Sequence, residues 1–151
     1  MKYVAWMTAV FCALLLQGRV TVLGVVPNLA VLIVFYAGMR HGENKGLLTG
    51  LLVGFIEDGL SAGMIGPNML AKGIVGYVAA FFISGGFFRW TPLFGMLSLF
   101  VLTLADNTIV VLLKTVFDKP PGGFASIVFI SVMQSLLNAP AGAFLRPGHV
   151  D

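Results

Sequence analysis

Residues 46–77, GLLTGLLVGFIEDGLSAGMIGPNMLAKGIVGY, most constrain what this chain can become. Two apolar runs flank a turn marked by Gly63, Gly66 and Pro67, so the pattern predicts a helical hairpin. Gly46, Gly50 and Gly54 are spaced four apart and lead to the acids Glu57 and Asp58; Lys72 follows on the second arm. Ionised groups inside segments this apolar are costly in lipid, so each calls for a partner.

The composition gives the hairpin its setting. Hydrophobic residues make up 58% of the 151, charged residues only 10%, and the mean hydropathy is +0.99. Soluble domains carry about 25% charged residues, so the expected class is an all-α integral membrane protein. A net charge of +3 does not indicate nucleic acid, because the nine basic residues are scattered singly and form no stripe. Cys12 is the only cysteine, and His41 and His149 lack a second ligand at metal spacing. No motif of nucleophilic, phosphate-binding or metal-dependent catalysis is present. The reading is therefore a non-enzyme without metal or cofactor.

Charges and Pro/Gly clusters divide the chain into six apolar segments, about 3–17, 28–39, 46–62, 67–87, 92–114 and 124–145. A full span takes about 20 residues, so the first two are short. The run ending Leu15-Leu16-Gln17-Gly18-Arg19 lacks the small-residue pattern of a cleavage site and is read as a retained first span. Residues 20–27 extend a neighbouring helix or lie at the interface, and Pro27 suits a first helical position. With six spans, Lys2, Arg40, Lys45, Arg89 and Arg146 share the side of the termini, against Arg19, Lys114 and Lys119 opposite. That bias places both termini in the cytoplasm. Trp90, beside Arg89, fits an interface anchor.

A G-x-x-x-G-x-x-x-G series lets another backbone approach closely. Two readings stand: the glycines pack one helix of the chain on another, or they form a groove for a foreign helix. Asp58 is the next step of the series and should face protein. Asp58 and Lys72 lie at similar distances from the turn, so an ion pair across the hairpin is geometrically open. Glu57, about 100° around the helix, is expected to face the loop or a neighbour. Asp106-Asn107 falls deep in the fifth segment, and Asn138 and Gln134 on the sixth are candidate partners for Asp106. Asn28 and Asn68 each follow a proline and read as first-turn polarity.

These residues resemble a family, the bacterial rod shape-determining protein MreD. The likeness runs over about residues 25–80. It includes Val26-Pro27-Asn28-Leu29-Ala30, the run from Gly46 to Asp58, Gly59, Gly63, Gly66, Asn68-Met69-Leu70-Ala71-Lys72 and Gly76-Tyr77. One departure stands out: the family commonly has aspartate where this chain has Asn28. The resemblance implies a non-enzymatic inner-membrane component of the cell-elongation and peptidoglycan-synthesis machinery. It also implies an MreC-like single-span partner, a wider complex with MreB, RodA and a transpeptidase, and an architecture similar to transporter S components. Membrane lipid is a further partner, and self-association is open to such a chain. On this reading Gly46, Gly50, Gly54, Asp58, Lys72 and Gly76 form a docking and packing surface, and Glu57, Asp106, Asn107 and Asn138 are intramembrane polar groups. The rivals are an S component binding a vitamin or micronutrient, and a proton or ion carrier using Asp58 or Asp106.

Overall fold

The computed structural model describes residues 21–61, 63–84, 89–119 and 122–147, together with Thr8, Cys12, Leu15, Gln17 and Arg19. Apart from those five positions, the expected first span lies outside the described residues. Within residues 21–147 five helices are described: α1 (Leu29–His41), α2 (Glu43–Leu60), α3 (Pro67–Ser84), α4 (Pro92–Phe117) and α5 (Phe124–Gly142). They correspond to the second to sixth expected segments.

Local chemistry sets most of the ends. Asn28 caps α1 by accepting from the Val31 amide at 3.3 Å. Thr91 caps α4 by accepting from the Phe94 amide at 3.1 Å, with Pro92 at the first helical position. Both caps satisfy amides that have no partner within the helix. Only Gly42 separates α1 from α2, at φ 87°, a left-handed conformation that glycine adopts without a steric penalty. The fifth helix stops short of residue 145. Pro140 withholds an amide in its last turn, and the Ala143 amide closes back on the Pro140 carbonyl at 3.2 Å. Residues 22–25 extend no helix, contrary to one expectation for 20–27. They form a tight turn in which Val22 and Val25 exchange both backbone hydrogen bonds, with positive φ at Leu23 and Gly24.

Helix α1 is the centre of the bundle. Ala30, Val31, Val34, Phe35 and Met39 are buried against Val53 of α2, Val75 and Ala79 of α3, and Leu99 and Leu102 of α4. With 13 residues it measures about 20 Å, less than the roughly 30 Å of a hydrocarbon core. By length and apolarity, α4 and α5 are able to cross a membrane. The expected six spans thus reduce to two by this criterion among the described residues.

Lipid gives helices little hydrophobic reason to associate, so close packing must do it. The glycines supply that contact within the chain. A Cβ on Gly46 would run into the Gly76 carbonyl oxygen, one on Gly50 into the Lys72 carbonyl, and one on Gly54 into the Asn68 carbonyl. Gly38 of α1 meets the same Gly76 carbonyl, so three backbones converge at Gly38, Gly46 and Gly76. The groove reading is therefore corrected: α3 already occupies the glycine face. Gly59 differs, since a Cβ there meets nothing within 4 Å. Gly50→Ala should cost more than about 2 kcal/mol by forcing the hairpin apart. Gly59→Ala should stabilise by about 0.5 kcal/mol through helix propensity. Thermal unfolding in detergent checks both, and similar shifts for the two variants would contradict the glycine contact.

Candidate functional site

The close approach of α2 and α3 brings the end of one helix level with the start of the other, and their polar residues meet there. Asp58 is buried and receives four donors. Gly66 N–H donates at 2.8 Å, Asn68 N–H at 3.2 Å, the Asn68 side-chain amide at 2.8 Å and Met69 N–H at 3.1 Å. First-turn amides have no partner within their own helix, and a carboxylate at the positive end of the helix dipole satisfies them. Pro67 contributes no amide of its own. Asp58 thus caps α3 from the neighbouring helix, and the expected Asp58–Lys72 ion pair does not form.

Lys72 turns toward other acids. Its side chain is fully buried, with Nζ 2.6 Å from Glu57 Oε2 and 3.2 Å from Asp106 Oδ2. Asn68 Oδ1 accepts from Nζ at 3.3 Å. The ammonium therefore faces three oxygens, from α2, α3 and α4, and donates hydrogen bonds to those of Asn68 and Asp106. The Glu57 approach is a charge contact outside good hydrogen-bond angles, and that side chain is 23% exposed, at the rim of the site. Of the two alternatives for Glu57, the loop or a neighbour, the side chain takes the second: it faces Lys72 of the adjacent α3. Asn68 joins the two charged centres, donating to Asp58 and accepting from Lys72. Its amide orientation is fixed by the charges on either side.

The network continues across the bundle. Asp106 Oδ2 also accepts from Asn28 Nδ2 at 3.1 Å. Asn138 Nδ2 donates to the Asn28 carbonyl at 2.9 Å and to Thr103 Oγ1 at 3.3 Å. Gln134 donates to the Val26 carbonyl at 2.7 Å. Asn138 and Gln134, expected as partners of Asp106, instead hold the backbone that leads into α1. Asp106 Oδ1 and Asn138 Oδ1 are buried without a protein donor. Asn107 lies half-buried outside the network, its amide nitrogen buried without an acceptor. Gly46, Gly50, Gly54 and Gly76 supply the close contact but no polar group to the site. Sequence reasoning missed Asn28, Asn68, Glu57 and Thr103 as members of one network; the repeated Pro-Asn at 27–28 and 67–68 was the available signal.

Three carboxylates and one ammonium make this a polar layer linking all five helices. Asp58 is hydrogen-bonded by amides at the start of α3, whereas Lys72 is shared between Glu57 and Asp106. Among the described residues no group of three or more His, Cys, Asp and Glu has the arrangement to hold a metal ion. The layer can orient helices and hold charge; it presents no nucleophile beside a base.

Asn28 also has a physical account. Its amide donates to Asp106 while its oxygen caps α1, and an aspartate there would set carboxylate against carboxylate. Asn28→Asp should therefore lower the unfolding temperature, and adding Asp106→Asn should recover part of the loss by restoring a donor between the two positions. Lys72→Met, which leaves two acids without their cation, should cost about 3–5 kcal/mol. A double-mutant cycle of Lys72→Met with Asp106→Leu should show strong coupling, and one with Asp58→Asn much less. Unfolding midpoints of purified protein measure both, and the reverse ranking would refute the assignment of partners.

Comparison with known proteins bears on the whole chain. The family model of rod shape-determining protein MreD matches residues 2–140. Neither the curated proteins nor the solved structures contain a match. The matched region takes in the glycine-packed hairpin, both Pro-Asn helix starts and the buried lysine with its acids. A bundle with two helices long and apolar enough for lipid suits a membrane family concerned with cell shape. Over nearly its whole length, then, this chain is a member of the rod shape-determining protein MreD family.

Proposed function

We propose that the chain is a non-enzymatic, multi-pass scaffold of the cell-elongation machinery in the bacterial inner membrane, with both termini in the cytoplasm. Its task is to dock the transmembrane helix of an MreC-like single-span partner and so join it to the wider complex of MreB, RodA and a transpeptidase. The family match over residues 2–140 is the observation that carries this reading. The bundle supports it, because α4 and α5 have spanning length. Helices α2 and α3 have 18 residues each. At the rise of an α-helix they reach about 27 Å.

The docking surface must lie away from the glycines, whose face is filled by α3. Helix α3 offers an outward stripe: Leu70, Ile74, Tyr77 and Phe81 are 51, 47, 39 and 52% exposed at helical spacing. The Tyr77 and Phe81 rings meet in a tilted contact, 5.3 Å between centroids, within the stripe. A helix partner reads such a surface as anchors one and two turns apart. The inner face of the same helix is fixed by the polar layer, so the stripe has a defined orientation.

Depletion in the native rod-shaped host should give swollen or rounded cells, and unchanged rods would reject the role. Ile74→Ala combined with Phe81→Ala should reduce co-purification of the single-span partner at least tenfold, at unchanged unfolding temperature. Full recovery of the complex from that variant would reject this docking face. Gly50→Leu is unsuited to the purpose, since it breaks the hairpin itself.

A further inference from the structure

Helices α4 and α5 are in closest contact where one begins and the other ends. A Cβ on Gly95 would strike the Gly142 carbonyl, and one on Gly142 would strike the Gly95 carbonyl, so the start of α4 and the end of α5 touch backbone to backbone. Every buried residue of α4 lies between Gly95 and Asp106, and those of α5 lie between Ser135 and Gly142. Beyond those residues neither helix buries a side chain within the bundle. Between them opens a cleft of about 560 Å³, walled by residues such as Leu104, Val111 and Val116 of α4 and Phe124, Val128 and Val132 of α5.

The cleft makes little polar demand. Its Thr108 and Thr115 hydroxyls donate to the Leu104 and Val111 carbonyls of their own helix at 2.7 and 2.8 Å. Both walls belong to the two helices of membrane-spanning length, so the opening faces hydrocarbon. From Leu104 to Val116 it runs about 18 Å, close to the roughly 15 Å of one leaflet. A spanning helix would need contact over about twice that length. The cleft lining ends at Val116 and Gly122, and the same stretch of chain carries Lys114 in the last turn of α4 and Lys119 just beyond it, against one acid, Asp118.

We propose that the α4–α5 wedge binds one acyl chain of an anionic phospholipid, with its headgroup held by Lys114 and Lys119. The apolar walls take the chain, their length limits it to one leaflet, and the lysines select the headgroup charge. Bound lipid would fill the apolar cleft between the two helices.

The test uses full-length protein reconstituted with equal phosphatidylglycerol and phosphatidylcholine, extracted in mild detergent and weighed by native mass spectrometry. Phosphatidylglycerol should be retained at least fivefold over phosphatidylcholine. Lys114→Gln with Lys119→Gln should abolish that preference, and Val128→Trp, at a residue 44% exposed on the cleft wall, should remove both lipids at unchanged unfolding temperature. Equal retention of the two lipids by the unaltered protein would overturn the proposal. So would photo-crosslinking from position 128 to a second copy of the chain or to a protein partner instead of lipid.

Discussion

The backbone contact between α2 and α3 is the constraint on which the rest of this structure depends. Three successive glycines place the second helix where any side chain would hold it off, and α3 answers with its own carbonyls. At that separation Asp58 reaches the first amides of α3, and Glu57 reaches across to Lys72. A wider hairpin would leave the amides uncapped and the lysine without its acid. The glycines therefore act through the polar residues they bring together as much as through the packing they allow.

The polar layer is better understood as a device for alignment than as a source of stability. Removing two charges from water costs several kcal/mol per ion even after relaxation, and the pair regains that only with good geometry. Here the geometry draws on every described helix: α2 and α4 provide acids, α3 the lysine and an amide, and Asn28 and Asn138 tie in α1 and α5. Shifting any one helix along its axis would break several of these bonds at once. Such sensitivity suits a membrane protein that presents a defined lateral surface to partners, because apolar side chains against lipid set no register by themselves.

The two ends of the bundle differ. Around α1 the packing is tight, and small residues let three backbones converge at Gly38, Gly46 and Gly76. Toward residues 118 and 122, α4 and α5 bury no residue and line an open apolar cleft. The polar centre and the open apolar flank thus lie in different parts of the molecule.

The sequence by itself determined the helices and their apolar character, since periodic punctuation by Pro, Gly and charge is a local signal. It also determined that Gly46, Gly50 and Gly54 must lie under a close contact, and that Asp58, Lys72 and Asp106 needed partners. It could not determine which partner each would take. Matched depth from the turn made Asp58 and Lys72 look like a pair, but depth says nothing of azimuth, and the amides of α3 lie nearer to Asp58. Only the tertiary structure decided that Lys72 belongs to Glu57 and Asp106, because Asp106 comes from a helix 34 residues away whose rotation is fixed by packing. The same holds for Asn28, whose amide completes a bond to Asp106 across 78 residues. Local chemistry names the groups that must be satisfied, and the packing of distant helices chooses what satisfies them.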